Sequence, residues 1–520
     1  MAILGTLILL IIVGIKLGSP LLIINFVALL FAYFGHLLPT AIAHKGFTIN
    51  RIFRYMWLGQ EGIFGTVMST FVGTIFPFLV MGTIMQVTGI GQVLIEIAYI
   101  ATRKLTGGIG YAAVIACSLF GAVSGSAPAN AAATGTFTIP AMKAQGYSDK
   151  LSAAIVSVAS AGGQIMPPVM GAAAFIMAET LGVSYGVVVI AAIIPAILYY
   201  IGIAEYVGIE AAKISDKTQS VEMKIGPNLL RRTLLMCVPF AILIGLLAMN
   251  YGAGLCGLAA CAAALVVSFI EPSWRMNVKQ FIDMIRLAVL DSVGLLLTCG
   301  VVGILIGVVT MTGFGVKFGN LVIAVSGGQI IVALLLVMMA SIVMGMGVPT
   351  VACYVILAST TASVLVNMGL SVMAAHMFVF YFGIMSAITP PVALASFTAA
   401  GIAGSNISQT GWLAFKMALP AFLIPYAFTM DNALLMEGNA GEIIWAIFVT
   451  LVGVSIFVGG LGGLMIRLLR TWERAVCIIA GLCLIIPLGR TDLIGLGLTA
   501  AMLALLFTTK DKIKKTSAPI

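Results

Sequence analysis

The sequence predicts an all-α polytopic membrane protein that contains two inverted repeats, each with a re-entrant hairpin and a broken helix. Three observations carry this. Of the 520 residues, 61% are hydrophobic and 8% charged, against about 25% charged in a soluble protein. Apolar runs long enough to span a bilayer recur along the chain, whereas the ~10-residue alternating segments of a membrane barrel are absent. Finally, three short anchors recur in order: Thr88-Gly89-Ile90-Gly91 returns as Thr312-Gly313-Phe314-Gly315, Ser124–Pro128 as Gly345–Pro349, and Pro167-Pro168-Val169 as Pro390-Pro391-Val392, at offsets of 224, 221 and 223 residues. A duplication is the economical explanation.

A spanning helix needs ~20 apolar residues. Crossings are expected at 20–38, 62–88, 150–178, 183–203, 233–249, 253–270, 290–311, 375–402, 412–430, 442–466 and 475–507, the last able to divide near Pro487; residues 1–15 offer one more apolar segment. The first residues carry no basic leader and no small-residue cleavage site, which reads as a membrane segment and not a signal peptide. Gly91–Leu105 holds Glu96, Arg103 and Lys104 and is too short to cross, so an interfacial position is expected. Lys213–Asn228, with Asp216, Lys217, Glu222 and Lys224, is the one soluble-looking linker.

Residues 108–142 and 329–366 each read as two short apolar halves around a Gly/Ser/Pro tip, "GAVSGSAPAN" and "GMGVPT". Such a pair is expected to be a re-entrant hairpin, tolerated in a bilayer only where protein or water covers the tip. The spans 150–178 and 375–402 are broken by double prolines, which remove backbone donors. Five expected crossings separate the start of 62–88 from the start of 290–311; because five is odd, the second copy enters from the opposite side. The expected organisation is N-terminal segments over 1–60, the first repeat over 61–212, linker and scaffold helices over 213–285, the second repeat over 286–411, and C-terminal helices over 412–520. Discontinuous helices from inverted repeats, meeting near the midplane, are the layout of secondary transporters.

A broken helix exposes N–H groups that attract anions and carbonyls that coordinate cations. Candidate substrate ligands are Asn130, Gln164, Thr350 and Thr389. Candidate Na⁺ ligands are Ser124, Ser126, Gly163, Gly345, Gly347 and Ser386, and the breaks are made by Pro128, Pro167, Pro168, Pro349, Pro390 and Pro391. Ser118 and Ser157, alone on their helices, are expected to serve close packing. Glu179, Asp291 and Asp431 suggest a proton route, but all three fall at expected span ends, where solvated interface positions explain them equally.

Other chemistries find little support. The net charge of +9 resides in short basic stretches such as Arg231–Thr233 and Lys510–Lys515, as expected of cytoplasmic loops and not of a nucleic-acid surface. The eight Cys form no CxxC, and His36, His44 and His376 are dispersed, so neither a metal centre nor an enzyme is indicated; no cofactor is expected beyond Na⁺ as coupling ion. No GxxxxGK[ST] motif is present for ATP.

"GSAPANAAATGTFTIPAMKAQGY", "SAGGQIMPPVMGAAAFIMAE", "GVVTMTGFGVKF", "GMGVPTVACYVILA" and "ITPPVALASFTAAGIAGSN" resemble the large membrane subunit of tripartite ATP-independent periplasmic (TRAP) transporters, nearest to the TAXI branch. The resemblance runs from about residue 45 to 430. It implies an elevator-type fold in the bacterial inner membrane and Na⁺-coupled uptake of organic acids or amino acids. It further implies a periplasmic TAXI-type substrate-binding protein and a small four-helix subunit, here expected as a separate chain. Carried onto this sequence, the tips are Ser124–Asn130 and Gly345–Thr350 and the breaks Gly162–Pro168 and Ser386–Pro391. Pro128 departs from the family's small flexible residue, and Val351 from a second Thr. A self-sufficient ion-coupled carrier is the rival reading within transport, and a membrane scaffold the rival outside it.

Overall fold

A computed structural model describes residues 2–40, 42–214, 225–486 and 491–514. The described chain is helical throughout apart from turns and one isolated bridge, and ten of its helices are long and apolar enough to cross a membrane. Helices α1 (Ala2–Leu17) and α2 (Ser19–Phe34) precede a short amphipathic α3 (Ile49–Leu58), which buries Ile52 and Met56 and is tied to α1 by Trp57 Nε1 donating to Thr6 Oγ1 at 2.8 Å. The first copy follows: α4 (Thr66–Thr88), α5 (Ile90–Thr102), hairpin arms α6 (Gly108–Ser124) and α7 (Ala127–Ala144), then half-helices α8 (Asp149–Gly162) and α9 (Ala172–Leu181). Three long helices intervene, α10 (Tyr185–Ile214), α11 (Leu229–Ala248) and α12 (Ala253–Ile270). The second copy repeats the order with α13 (Val278–Thr312), α14 (Phe314–Ser326), arms α15 (Ile330–Gly345) and α16 (Thr350–Asn367), and half-helices α17 (Val372–Met385) and α18 (Leu394–Ala403). Helices α19 (Ile407–Met430), α20 (Ala440–Gly462), α21 (Thr471–Ile485) and α22 (Thr491–Lys514) complete the chain.

The backbone repeats as the sequence does. Left-handed glycines recur pairwise: Gly89 and Gly313 (φ 79° and 65°), Gly107 and Gly328 (75° and 77°), Gly125 and Gly347 (61° and 71°), Gly146 and Gly369 (101° and 102°), Gly182 and Gly404 (64° and 68°). Each pair is 221 to 224 residues apart. Ser148 and Ser371 cap α8 and α17 alike, accepting from the N–H of Leu151 and Ala374. Both double prolines contain a cis bond.

The copies interlock through their second halves. Half-helix α18 of the second copy packs on α7 and α8 of the first, and α9 of the first packs on α16 and α17 of the second. Buried Ser157 and Ser396 hydroxyls meet at 2.6 Å where α8 and α18 cross, a close-packing contact of small residues. Lys143 on α7 donates to Ala403 O at 2.9 Å and pairs with Asp149 at 3.0 Å. A cation thus sits at the C-terminal end of α18 and an acid at the N-terminal end of α8, each favoured by the helix dipole. The core between the copies is aromatic, with Tyr199, Tyr381, Phe378, Phe382 and Phe428 fully buried.

Several expectations change. Gly91–Leu105 is more deeply packed than its charges suggest: α5 buries nine of its thirteen residues, and Glu96 forms a buried pair with Arg232 at 2.5 Å. Of the three charges that argued for an interface, Glu96 is paired inside the protein, while Arg103 and Lys104 are exposed beyond the end of α5. Helix α13 begins at Val278, twelve residues before the expected 290, because Asn277 and Gln280 form a capping box. Asp291 therefore lies on the fourth turn of a longer helix, and its side chain is exposed. The 475–507 region is two helices, with Pro487 outside the described residues, as are Asp216, Lys217, Glu222 and Lys224. Lys213 continues α10. The C-terminal helices are joined to the body by Ser455 on α20, whose hydroxyl donates to Glu205 on α10 at 2.5 Å.

Candidate functional site

The two hairpin tips and the two breaks surround one cavity of about 960 Å³. Both tips use the same device: Gly125 and Gly347 take left-handed φ values that a Cβ would disfavour, which turns the chain within a few residues. The return arms then begin at Ala127 and Thr350, and beyond the double prolines the second half-helices begin at Ala172 and Leu394. All four of these first residues line the cavity. Four helix N-termini, two from each copy, therefore converge on one space, and each brings unsatisfied N–H groups and a partial positive charge.

Gln164 joins the tips. Its Nε2 donates to Gly125 O of the first tip at 3.0 Å, and its Oε1 accepts from Thr350 Oγ1 of the second at 3.2 Å. The short helical turn over Gly163–Ile165, just before the break, points this side chain into the cavity. At the offset set by the double prolines the second copy has Ala387, so this strap belongs to the first copy alone.

The other candidate ligands separate into two groups. Ser124, Ser126, Pro128, Gly345, Pro349 and Thr350 line the cavity with Gln164. Asn130, Gly163, Gly347, Ser386, Thr389, Pro167, Pro168, Pro390 and Pro391 do not. Asn130 is fully buried behind the first tip, where its Nδ2 donates to Cys117 O at 2.8 Å and Ser160 O at 3.3 Å. Its Oδ1 and the Ser124 Oγ are buried without a hydrogen-bond partner. Ser126 caps α7, accepting from Ala129 N at 3.4 Å. Ser386 donates to Gly383 O at 2.7 Å and Gly345 O at 3.1 Å, binding the second break to the second tip, while Thr389 turns back to Met385 O at 2.8 Å.

Gly163 matters by what it lacks. A Cβ there would lie 2.5 Å from Gly121 Cα and 2.9 Å from Asn130 Nδ2, so the break reaches the hairpin only because this residue has no side chain.

Sequence reasoning did not single out Thr83, Gln86, Gln92 and Thr136, which also line the cavity, nor the placement of Asp291 there. The glutamines flank Thr88-Gly89-Ile90-Gly91, so the repeated anchor was the available signal. Glu179 is exposed at the end of α9, and Asp431 caps the short turn over Asn432–Leu435. No group of three potential metal-ligating His, Cys, Asp or Glu occurs among the described residues.

The family profile of the tripartite ATP-independent periplasmic transporter, DctM component, matches residues 4–438, beyond the 45–430 of the sequence resemblance. Curated relatives include the C4-dicarboxylate TRAP transporter large permease protein DctM of Pseudomonas aeruginosa. It is 36% identical over 121 residues, which are 23% of this chain and 28% of the relative. The isethionate TRAP transporter permease protein DctMQ of Oleidesulfovibrio alaskensis is 42% identical over 91 residues, 18% of this chain and 14% of the relative. The DctM protein of Rhodobacter capsulatus is 37% identical over 91 residues, 18% of this chain and 21% of the relative. The matched segments thus span less than a third of these relatives' length. With a profile covering most of the chain and ten helices able to cross a membrane, the chain belongs to the DctM family of TRAP transporter large permeases and is a multi-pass protein of the bacterial inner membrane.

Proposed function

We propose that the chain is the permease subunit of a Na⁺-coupled, binding-protein-dependent secondary importer of the TAXI type, and that it carries small organic acids or amino acids by an elevator motion. The observation that carries this reading is the convergence of four helix N-termini from two interlocked copies on one cavity. That arrangement suits a carboxylate, which the N–H groups and dipoles of helix ends favour without a buried arginine. Relatives named for C4-dicarboxylates and isethionate are in keeping with an acidic substrate.

Na⁺ coupling is supported by the orphaned acceptors. Ser124 Oγ and Asn130 Oδ1 are buried without partners, and an unsatisfied buried polar atom costs about 1–3 kcal/mol. These orphaned oxygens mark the first tip as the place for Na⁺, which would order the tip before substrate arrives. The first hairpin acts as a re-entrant gate: its arms of 17 and 18 residues reach about 26 Å, short of the ~30 Å hydrocarbon thickness, and the second hairpin is assigned the same role by the repeat. The hairpins and broken helices form the moving body, with the N-terminal helices and α11–α13 as scaffold. A periplasmic TAXI-type binding protein delivers the substrate, and a small membrane subunit completes the assembly. Helices α20–α22, beyond the family profile, accord with the TAXI type.

Uptake into proteoliposomes tests the scheme, run with and without a Na⁺ gradient and a binding protein encoded beside the gene. Transport that ignores Na⁺ removes the coupling, and transport without any binding protein removes the tripartite reading in favour of a self-sufficient carrier. Independently of substrate, NaCl should raise the melting temperature more than KCl, and Ser124→Ala with Asn130→Ala should abolish that difference.

A further inference from the structure

The cavity has two electrostatic ends. Four helix N-termini supply partial positive charge, while the only ionisable side chain among the lining residues is Asp291 on α13. Leu295, one turn further along α13, lines the cavity with it, so this helix turns one face to the space. No hydrogen bond or ion pair engages the Asp291 carboxylate among the described residues. The other polar groups in the wall, among them Gln86, Gln92, Gln164 and Thr350, are neutral.

Asp291 is exposed on α13, so its carboxylate is open to a partner that enters the cavity. The cavity supplies no Lys, Arg or His to be that partner. At a separation of ~8 Å and an effective dielectric of ~20, one unit charge changes the occupancy of another by roughly thirtyfold in either direction. A dianion entering this space is repelled by Asp291, whereas a ligand with one carboxylate and one cationic nitrogen finds a complement for each end.

We propose that Asp291 is the counter-charge for a positively charged nitrogen on the substrate, so that the cavity selects an amino acid or similar zwitterion over the hydroxy acid or dicarboxylate of the same size. This rests on reading the cavity as the substrate site. The carboxylate faces the helix ends beside Gln164 and Thr350, and the ammonium faces α13. Asp291 thereby sets specificity, and its charge is neutralised by the substrate while the carrier is loaded.

The test uses the full chain in nanodiscs with Cys237→Ser, which removes the exposed thiol, and Thr136→Cys, an exposed position in the cavity wall. Alkylation of the new thiol is measured in saturating NaCl against matched pairs differing only in ammonium or hydroxyl: L-alanine and L-lactate, L-glutamate and L-2-hydroxyglutarate. At least one amino acid should protect at a concentration about tenfold or more below its hydroxy acid, in line with the roughly thirtyfold effect of one unit charge. Asp291→Asn should erase that preference, and Asp291→Glu should retain it. Hydroxy acids protecting as well as amino acids, or a preference unchanged in Asp291→Asn, overturns the inference while leaving the cavity as a binding site. Failure of every compound to protect overturns the cavity reading and this inference with it.

Discussion

Replacing Gln164 with alanine should loosen both hairpin tips without disturbing the fold. The side chain makes two bonds, to Gly125 O at 3.0 Å and from Thr350 Oγ1 at 3.2 Å, and only the second holds the tip of the second copy. A neutral hydrogen bond contributes a net ~0.5–1.5 kcal/mol, so freeing the second tip should raise its open population by roughly two- to twelvefold, at about 1.4 kcal/mol per factor of ten. Val348 in that tip is 4% exposed. A cysteine there, in a Cys237→Ser background, is alkylated only when the tip opens. In the regime where closing outpaces reaction, its rate follows the open population. Gln164→Ala and Thr350→Val should each raise that rate by the same factor, and the double variant should show no further increase, because both remove one bond. Unchanged rates in either single variant, or full additivity in the double, would refute the reasoning that Gln164 straps the tips together.

Three further outcomes follow from contacts elsewhere. Glu96 and Arg232 pair at 2.5 Å and 3.2 Å with side chains under a tenth exposed; removing either alone should cost about 3–5 kcal/mol, seen as a large drop in melting temperature, while replacing both with apolar residues should cost far less. Gly163→Ala places a Cβ 2.5 Å from Gly121 Cα and should destabilise by roughly 1–3 kcal/mol while blunting the thermal response to NaCl. The Arg467 guanidinium holds the Glu473 carboxyl below its ordinary 4.5. A depressed folded-state value means the pair's contribution is complete above about pH 4.5 and lost as pH falls through the lower folded value. Melting temperature measured from pH 7 downward should therefore fall at acid pH, and a Glu473→Gln variant should lack that component.

The charged contacts were hidden in the sequence for a common reason. Glu96 reads as a polar interruption of a short apolar run, and its partner Arg232 lies 136 positions away on another helix. The start of α13 was not legible because hydropathy locates the apolar window of a helix and not its capped beginning at Asn277. Asn130 and Gln164 carry similar amides near similar breaks, yet one is fully buried behind the tip and the other lines the cavity. Nothing local to either residue distinguishes them.

By itself the sequence determined the membrane class, the duplication, and the positions of both tips and both breaks. Each of these is a property of short segments: apolar length against bilayer thickness, glycine at a left-handed turn, proline where a donor must be absent. The tertiary structure decided what those segments enclose. It interlocked α9 and α18 with the opposite copies, brought four helix N-termini to one cavity, strapped the two tips through Gln164, and set Asp291 in the wall. These relations join residues up to 260 positions apart. They arise from packing, in which a side chain's role depends on what the rest of the chain places against it.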